Sequence, residues 1–159
     1  MKTIITVFTV LSMYFNAVSS NSSDYYYNAD IENGAVKTLY VYAQQGDMLQ
    51  NKLTCQFSYD ANGRLVEKTV SRWDTWKNRF VPDYRLQFCY TDNGYELSHS
   101  DWNDKTQEWK NVDEKAVYTF SMDNLVSVNY LKRDHRGDFH PIDHLTISNT
   151  WNDILLAKK

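Results

Sequence analysis

The sequence predicts an all-β protein, an antiparallel up-and-down meander of repeated long hairpins, curled or packed on itself. The first observation is a repeated unit: an aromatic residue, any residue, a second aromatic residue and, four positions later, a turn residue. The second is the alternation of apolar and polar residues from Leu53 to Tyr59, which is typical of strands with one face toward a core. The unit occurs as Phe88-Tyr90-Gly94, Phe57-Tyr59-Gly63 and Tyr40-Tyr42-Gly46, and more weakly as Tyr118-Phe120-Asn124.

The β signals begin at Val36, and Thr38 to Tyr42 is β-branched and aromatic. Leu53 to Tyr59 then alternates between one apolar and one polar face. Asn62-Gly63 follows, and this dipeptide between two such runs is the strongest short hairpin signal, because both residues tolerate positive φ. Leu65 to Trp73 forms the returning arm of this hairpin.

A second kind of turn carries the tryptophans. One copy runs from Trp73 to Asn78 and a longer one from Trp102 to Asn111, and both end in Trp-Lys-Asn. Tryptophans on each side of such a turn are placed to pair across the two strands. The next strand continues to Tyr90 and is interrupted or edged at Pro82, because proline cannot donate a ladder hydrogen bond.

The last part of the chain continues the pattern. Trp109 and Tyr118 differ in parity, which predicts a bulge between them. Strand signals follow from Leu125 to Leu131, then a turn from Asp134 to Asp138 and a closing strand from His144 to Trp151. Residues 152–159 suit a short helix or a frayed tail. The pattern leaves an open meander, a curled half-barrel and a sandwich as alternatives.

Residues 1–19 have the order of an export signal. Lys2 precedes an apolar run from Ile4 to Val18, and small residues follow, so cleavage is predicted after Ser19. The alternative is a membrane anchor, but the run is shorter than the ~20 residues that a span needs. Residues 20–35 are polar with a tyrosine cluster and are predicted to form a flexible N-terminal arm. Residues 36–159 then form a single β-repeat domain.

The net charge and the cysteines restrict the class of binding partner and indicate what to expect of the thiols in an exported protein. The net charge is −3, and it becomes 17 − 1 − 20 = −4 without residues 1–19; no basic run occurs, which argues against nucleic acid. An exported chain with Cys55 and Cys89 invites a disulfide. However, Cys55 shares the parity of Phe57 whereas Cys89 alternates with Phe88, so the thiols point to opposite faces. We expect free, mostly buried cysteines.

The sequence contains no recognised motif for catalysis or for binding a metal or cofactor. The intervals between His135, His140 and His144 match no metal pattern, and turn positions select aspartate for local backbone hydrogen bonds. A Gly-x-Ser-x-Gly elbow and a glycine-rich phosphate loop are both missing from the sequence. We therefore expect no catalytic residue, no metal and no cofactor.

Aromatic residues make up 15% of the chain, more than a core of this size needs. Exposed tryptophans on a rigid β-surface suit stacking on sugar rings or on a protein partner. Cross-strand packing that pins the register is the structural alternative. The candidate binding residues are the four tryptophans beside the second kind of turn: Trp73, Trp76, Trp102 and Trp109.

Over about residues 36–131, the repeated unit followed by Trp-Lys-Asn resembles the secreted β-hairpin-repeat proteins of gut bacteria classed as domain of unknown function 3836. Through Tyr59-Asp60-Ala61-Asn62-Gly63 it is more loosely similar to the tyrosine–aspartate repeats of surface and toxin shells. The resemblance implies the architecture and brings no catalytic residue. The chain departs from it at Asn124-Leu125, where the glycine is missing.

The leading hypothesis is an exported, periplasmic or extracellular, non-enzymatic module that binds a glycan or a protein at the bacterial envelope. After signal cleavage it has no stable membrane insertion. The alternatives are a structural protein that assembles through sheet edges and a small hydrolase, which would need two carboxylates in a cleft. The sequence leaves the oligomeric state open.

Overall fold

The computed structural model describes residues 5–19, 25–121 and 124–146. These residues form one helix and ten strands. The elements are α1 (Val7–Ser19), β1 (Tyr25–Glu32), β2 (Ala35–Gln45), β3 (Met48–Tyr59), β4 (Leu65–Asp74), β5 (Arg79–Thr91), β6 (Gly94–Asn103), β7 (Glu108–Trp109), β8 (Glu114–Ser121), β9 (Asn124–Arg133) and β10 (Phe139–Thr146).

The strands form one antiparallel sheet whose order follows the chain. Each strand pairs with the next, except that β7 pairs only with the end of β6 and β8 takes the following place beside β6. The sheet does not close, so β1 and β10 are its edges in the described part of the chain. This arrangement confirms the predicted all-β meander of long hairpins.

The first hairpin corrects the predicted flexible arm. Tyr25–Glu32 form β1 and pair with β2 along their whole length, while residues 20–24 lie outside the described residues. The turn between β1 and β2 is Asn33-Gly34, with φ of 50° and 76°. Positive φ at both positions is the type I′ geometry that Asn-Gly favours. This dipeptide is the hairpin signal that the arm prediction overlooked.

Helix α1 lies against one face of the sheet, which we call the helix face; the opposite side is the far face. The core between them contains Val10 of α1 and Val36, Leu65 and Phe88 of the sheet, which are 5%, 0%, 3% and 9% exposed. The chain entering α1 also pairs with the sheet, because the Leu65 N–H donates to the Ile5 carbonyl oxygen at 2.8 Å. Cleavage is predicted after Ser19, the last described residue of α1, and residues 20–24 lie outside the described residues.

Both cysteines are free, as the parity of the strands predicted. Cys55 is buried on the helix face, but Cys89 is exposed. The expectation of mostly buried thiols is therefore wrong for Cys89. The physical reason is that its neighbour Phe88 faces the core, so Cys89 points to the far face.

The predicted interruption of β5 at Pro82 is confirmed. Val70 of β4 pairs with Tyr84, whereas the next residue, Ser71, pairs with Pro82. Asp83 is therefore an extra residue in β5, a bulge that follows the proline.

The predicted irregularity after Trp109 is also present, but its reason was wrong. Trp109 pairs with Trp102, and pairing with β6 resumes only at Glu114, so residues 110–113 leave the sheet. Trp109 lies on the far face, whereas Tyr118 stacks on Tyr95, which packs against the core of the helix face. Their odd separation already places them on opposite faces, so parity alone required no bulge.

The predicted elements at the C-terminal end of the chain lie only partly within the described residues. The turn after β9 is present, since the Asp134 N–H donates to the Asp138 carbonyl oxygen at 2.8 Å. The closing strand begins earlier than predicted, at Phe139. Its expected continuation and the predicted helix or tail, residues 147–159, lie outside the described residues.

Candidate binding site at the tryptophan end of the sheet

The structure brings the four candidate tryptophans to one end of the sheet. In a meander, turns after alternate strands lie at the same end. The turns after β2, β4, β6 and β9 therefore share an end, which we call the tryptophan end. Trp73 is the second-last residue of β4, Trp76 lies in the following turn, Trp102 is the second-last residue of β6 and Trp109 ends β7.

Three of these tryptophans are half-buried and form cross-strand pairs. Trp102 packs edge-on against Trp109, with ring centroids 5.0 Å apart, as the turn pattern predicted. Trp73 pairs with Phe80, at 4.9 Å, and not with Trp76. Both pairs join residues directly opposite in the register. Such pairs stabilise the hairpin ends, which is the structural role that the sequence left open.

Trp76 has a different position. Its side chain is 97% exposed. The turn that carries it is held by Asp74, whose Oδ1 accepts hydrogen bonds from the Trp76 and Lys77 N–H groups, both at 3.0 Å. The Lys77 N–H is the main cause that lowers the pKa of Asp74. The ionised carboxylate thus fixes the backbone beneath a freely accessible indole ring.

The Trp102–Trp109 pair includes a buried indole N–H, that of Trp102, with no hydrogen-bond partner among the described residues. The Arg85 guanidinium lies 5.0 Å from the centroid of the Trp109 ring, a cation–π contact on the far face. Buried Arg85 Nε and Trp102 Nε1 have no hydrogen-bond partner among the described residues. A buried donor without a partner costs roughly 1–3 kcal/mol. Departures of this kind are expected at functional sites more than in purely structural packing.

A polar cleft of about 620 Å³ lies at the same end of the sheet, and its described lining includes none of the four tryptophans. It exists because residues 110–113 leave the sheet between β7 and β8, and the turn after β9 closes its other side. Its titratable lining residues include His99, Asp101, Lys110, Glu114, Lys132 and His135. Sequence reasoning missed this cleft because its walls come from three separate parts of the chain and no local pattern joins them.

The charges of the cleft are largely paired. Lys132 Nζ lies 2.8 Å from Glu114 Oε1 and Lys110 Nζ lies 3.5 Å from Asp101 Oδ2. The hydrogen bond from Lys132 lowers the pKa of Glu114. Desolvation raises the pKa of Asp134, but the N–H groups of Asp138 and Arg136 outweigh it and lower that pKa overall.

Glu114 and Asp134 are consequently ionised at neutral pH. Neither can serve there as the protonated acid that a hydrolytic carboxylate pair requires. The cleft instead offers acceptors and cationic donors side by side, which suits a ligand with many hydroxyl groups. Among the described residues, no group of three histidine, cysteine or acidic side chains is arranged to hold a metal ion. Among the described residues, no helix combines the length and the hydropathy needed to cross a membrane.

Solved structures share this fold. A protein of unknown function from Bacteroides fragilis superposes with a TM-score of 0.69 over 81% of this chain and 96% of its own, at 17% identity, which shows the fold alone. A DUF3836 family protein from Parabacteroides distasonis matches at 27% identity, with a TM-score of 0.55 over 62% of this chain and 92% of its own. Another, from Bacteroides vulgatus, matches at 28% identity, with a TM-score of 0.53 over 55% and 89%.

A search among curated proteins finds no match. The model of the family of unknown function DUF3836 matches residues 1–120, about three quarters of the sequence. Together with the two structural neighbours from the same family, this match agrees with the resemblance seen in the repeated unit. The chain belongs to the DUF3836 family.

Proposed function

We propose that this protein is an exported, non-enzymatic module that binds a glycan through the tryptophan end of its sheet. The observation that carries the proposal is Trp76, whose ring is 97% exposed on a turn fixed by Asp74. An indole in water, carried on a backbone that Asp74 fixes, offers a flat apolar surface that a sugar ring can cover. Nothing in the fold of the hairpin itself needs this ring.

The polar cleft at the same end supports a glycan over an apolar partner. A sugar presents both an apolar face, for stacking on Trp76, and hydroxyl groups, for carboxylates and cationic side chains such as Asp101 and Lys110. A protein partner at the bacterial envelope is the alternative, because exposed tryptophans are also frequent anchors of protein interfaces.

Export to the periplasm or outside the cell is supported by the composition of α1. Besides the side that contacts the sheet, its outward side is apolar, with Phe8 75%, Phe15 57% and Val18 50% exposed. A surface helix of a folded domain normally has a polar outer face. An export signal is apolar on all sides and is removed, which suits a helix whose outward side is also apolar.

The test is tryptophan fluorescence of the exported protein, titrated with a panel of soluble plant and host polysaccharides. We expect a saturable shift with one class of polysaccharide and at least tenfold weaker binding for Trp76→Ala, because central aromatic anchors contribute about 2 kcal/mol or more. Tyr26→Ala, which removes another exposed aromatic side chain, on strand β1, is the matched control and should bind normally.

Two results would contradict the proposal. Binding that survives in Trp76→Ala would remove the exposed ring from the site. A complete lack of response to polysaccharides, with a protein captured in a Trp76-dependent manner, would assign the surface to a protein partner. Mass measurement of the exported chain tests the cleavage after Ser19 independently.

A second candidate function is assembly through the sheet edges. The open sheet leaves the backbone of β1 and β10 unpaired on one side in the described residues. Pro141 and a register shift before Asp143 interrupt β10, which are features that discourage edge pairing. β1 has only a shift after Asp30, so it is the better edge for association. Sedimentation that shows a monomer at all concentrations would exclude this function.

A further inference from the structure

A second cavity lies between α1 and the helix face of the sheet. Its volume is about 380 Å³, within the usual range for small-molecule sites. Strands β2 to β5 provide its floor, which we call the trough, and α1 provides its roof. The trough is formed mainly by apolar side chains: Val36, Leu39, Phe57, Leu65, Leu86 and Phe88.

Among the described residues, Lys68 is the one charged side chain that lines this cavity. It lies in the middle of β4, directly between Phe57 of β3 and Leu86 of β5. It is half-buried, and its ammonium group makes no hydrogen bond or ion pair with the part of the chain that the structure describes. Four other lysines do pair with acids: Lys77, Lys110, Lys115 and Lys132.

An unpaired cation inside an apolar surface indicates the chemistry of the missing partner. Lysine is normally found in such surroundings only when its ammonium reaches water or meets an anion. A ligand that covers the trough would cut Lys68 off from water, so the ligand must itself bring a negative charge. Its remaining part must be apolar to replace water on Leu39, Phe57 and Phe88.

Helix α1 occupies the roof in the full chain, with Val10, Met13, Tyr14 and Ala17 toward the cavity. These positions have the i, i+3, i+4, i+7 spacing of one helix face. If residues 1–19 are removed on export, as the proposed function states, the trough loses this cover. Its floor and Lys68 belong to the sheet and remain.

We propose that the trough binds a single-chain carboxylate with a long alkyl chain, the chemical class of free fatty acids. The alkyl chain lies along Leu39, Phe57 and Phe88, and the carboxylate pairs with the Lys68 ammonium. In the full chain, α1 covers the same apolar surface and competes with the ligand. This inference rests on the proposed export only for the removal of α1.

The experiment is calorimetric titration of dodecanoate and of the uncharged 1-dodecanol, which has the same alkyl chain. Two proteins are used: the chain purified after export, and the full chain made without an export route. We expect one dodecanoate per chain, bound at least tenfold tighter than dodecanol, and weaker binding by the full chain. Octanoate should bind more weakly by roughly fourfold for each methylene that it lacks.

Substitutions of Lys68 decide the role of the charge. Lys68→Met should remove the tenfold preference for the carboxylate, and Lys68→Arg should keep it. Lys105→Met, at an exposed turn, is the matched control and should behave as the unchanged protein. Circular dichroism of each variant verifies that the sheet is folded.

Several outcomes would overturn the inference. Equal binding of dodecanoate and dodecanol, or an unchanged preference in Lys68→Met, would show that the charge plays no part. Binding to anionic vesicles without binding of free dodecanoate would assign the surface to a membrane. A processed chain that sediments as a dimer and binds no dodecanoate would assign the trough to a second copy.

Failure of this inference is distinguishable from failure of the proposed function. Trp76→Ala should leave dodecanoate binding unchanged, because that ring lies in the turn after β4 and not in the trough. If mass measurement shows that residues 1–19 are retained, the export proposal fails. The Lys68 comparison would then be decided in the full chain, whose cavity is already present.

Discussion

Gly94 and Gly46 occupy the same place in the repeated unit, yet the structure needs glycine at each for a different reason. Gly46 has φ of +61°, and an added Cβ would meet nothing within 4 Å. Gly94 has no such backbone conformation. An added Cβ there would overlap the Tyr118 carbonyl oxygen and lie 2.9 Å from the Tyr118 carbonyl carbon and 3.2 Å from the Thr119 Cα.

The two alanine substitutions should therefore differ in magnitude. Gly46→Ala forces a left-handed residue with a side chain, which costs about 1 kcal/mol. Gly94→Ala must push β8 away from β6 at their paired ends, since backbone atoms cannot yield as a flexible side chain does. The loss of about two or three ladder hydrogen bonds, at roughly 1 kcal/mol each, lowers the unfolding free energy by about 3 kcal/mol.

Urea unfolding of both variants, followed by far-ultraviolet circular dichroism, measures these free energies. In thermal unfolding, for a chain of this length, the midpoint should fall by about 2–4 °C for Gly46→Ala and by about 6–12 °C for Gly94→Ala. If Gly46→Ala were the more harmful change, the close approach of β8 to Gly94 would be refuted. Equal, small losses would refute it as well.

Three further predictions concern the two faces of the sheet. Phe88→Ala in the full chain should lower the unfolding free energy by about 3–5 kcal/mol, because Phe88 faces the core. Cys89→Ala should change it by no more than about 0.5 kcal/mol, because Cys89 is exposed. Equal losses of stability in urea would contradict the assignment of these two residues to opposite faces. A thiol reagent at mildly alkaline pH should label Cys89 alone in the folded protein, because burial raises the pKa of Cys55; mass mapping that finds Cys55 modified first would refute this. Burial raises the pKa of Tyr59 and of Tyr90 to about 12. The folded state thus holds these protons more tightly than the unfolded state, so stability should be complete below about pH 10 and fall as pH rises toward 12. Urea midpoints that do not change across this window would count against it.

Much of the meander follows from local patterns. The parity of Phe57, Cys55 and Tyr59 already assigns them to one face, and the same rule correctly separates Cys55 from Cys89. The Asn-Gly hairpin signal also occurs at Asn33-Gly34, which forms the first turn, although this dipeptide was predicted to lie in a flexible arm. Such features depend on neighbours in sequence and on backbone conformation, so they can be read without a structure.

The tryptophans show where local patterns stop. The turn motif correctly placed four indole rings beside turns, and it predicted the Trp102–Trp109 pair. It could not distinguish half-buried Trp73 from Trp76, which is 97% exposed. Exposure depends on what the neighbouring strands bring across a turn, and Phe80 takes the place beside Trp73.

By itself, the sequence determined the all-β class, the positions of most turns and the assignment of the strand residues to two faces, because these depend on period-two alternation and on turn chemistry. Only the tertiary structure decided that the sheet stays open, that α1 covers its apolar face, and that residues around Asp101, Glu114 and Lys132 converge in a polar cleft. It also gave Gly94 a steric role and placed Lys68 among apolar side chains with no ion pair to any described residue. These features arise from contacts between segments far apart in the chain, and no periodicity within one segment records which others will pack against it.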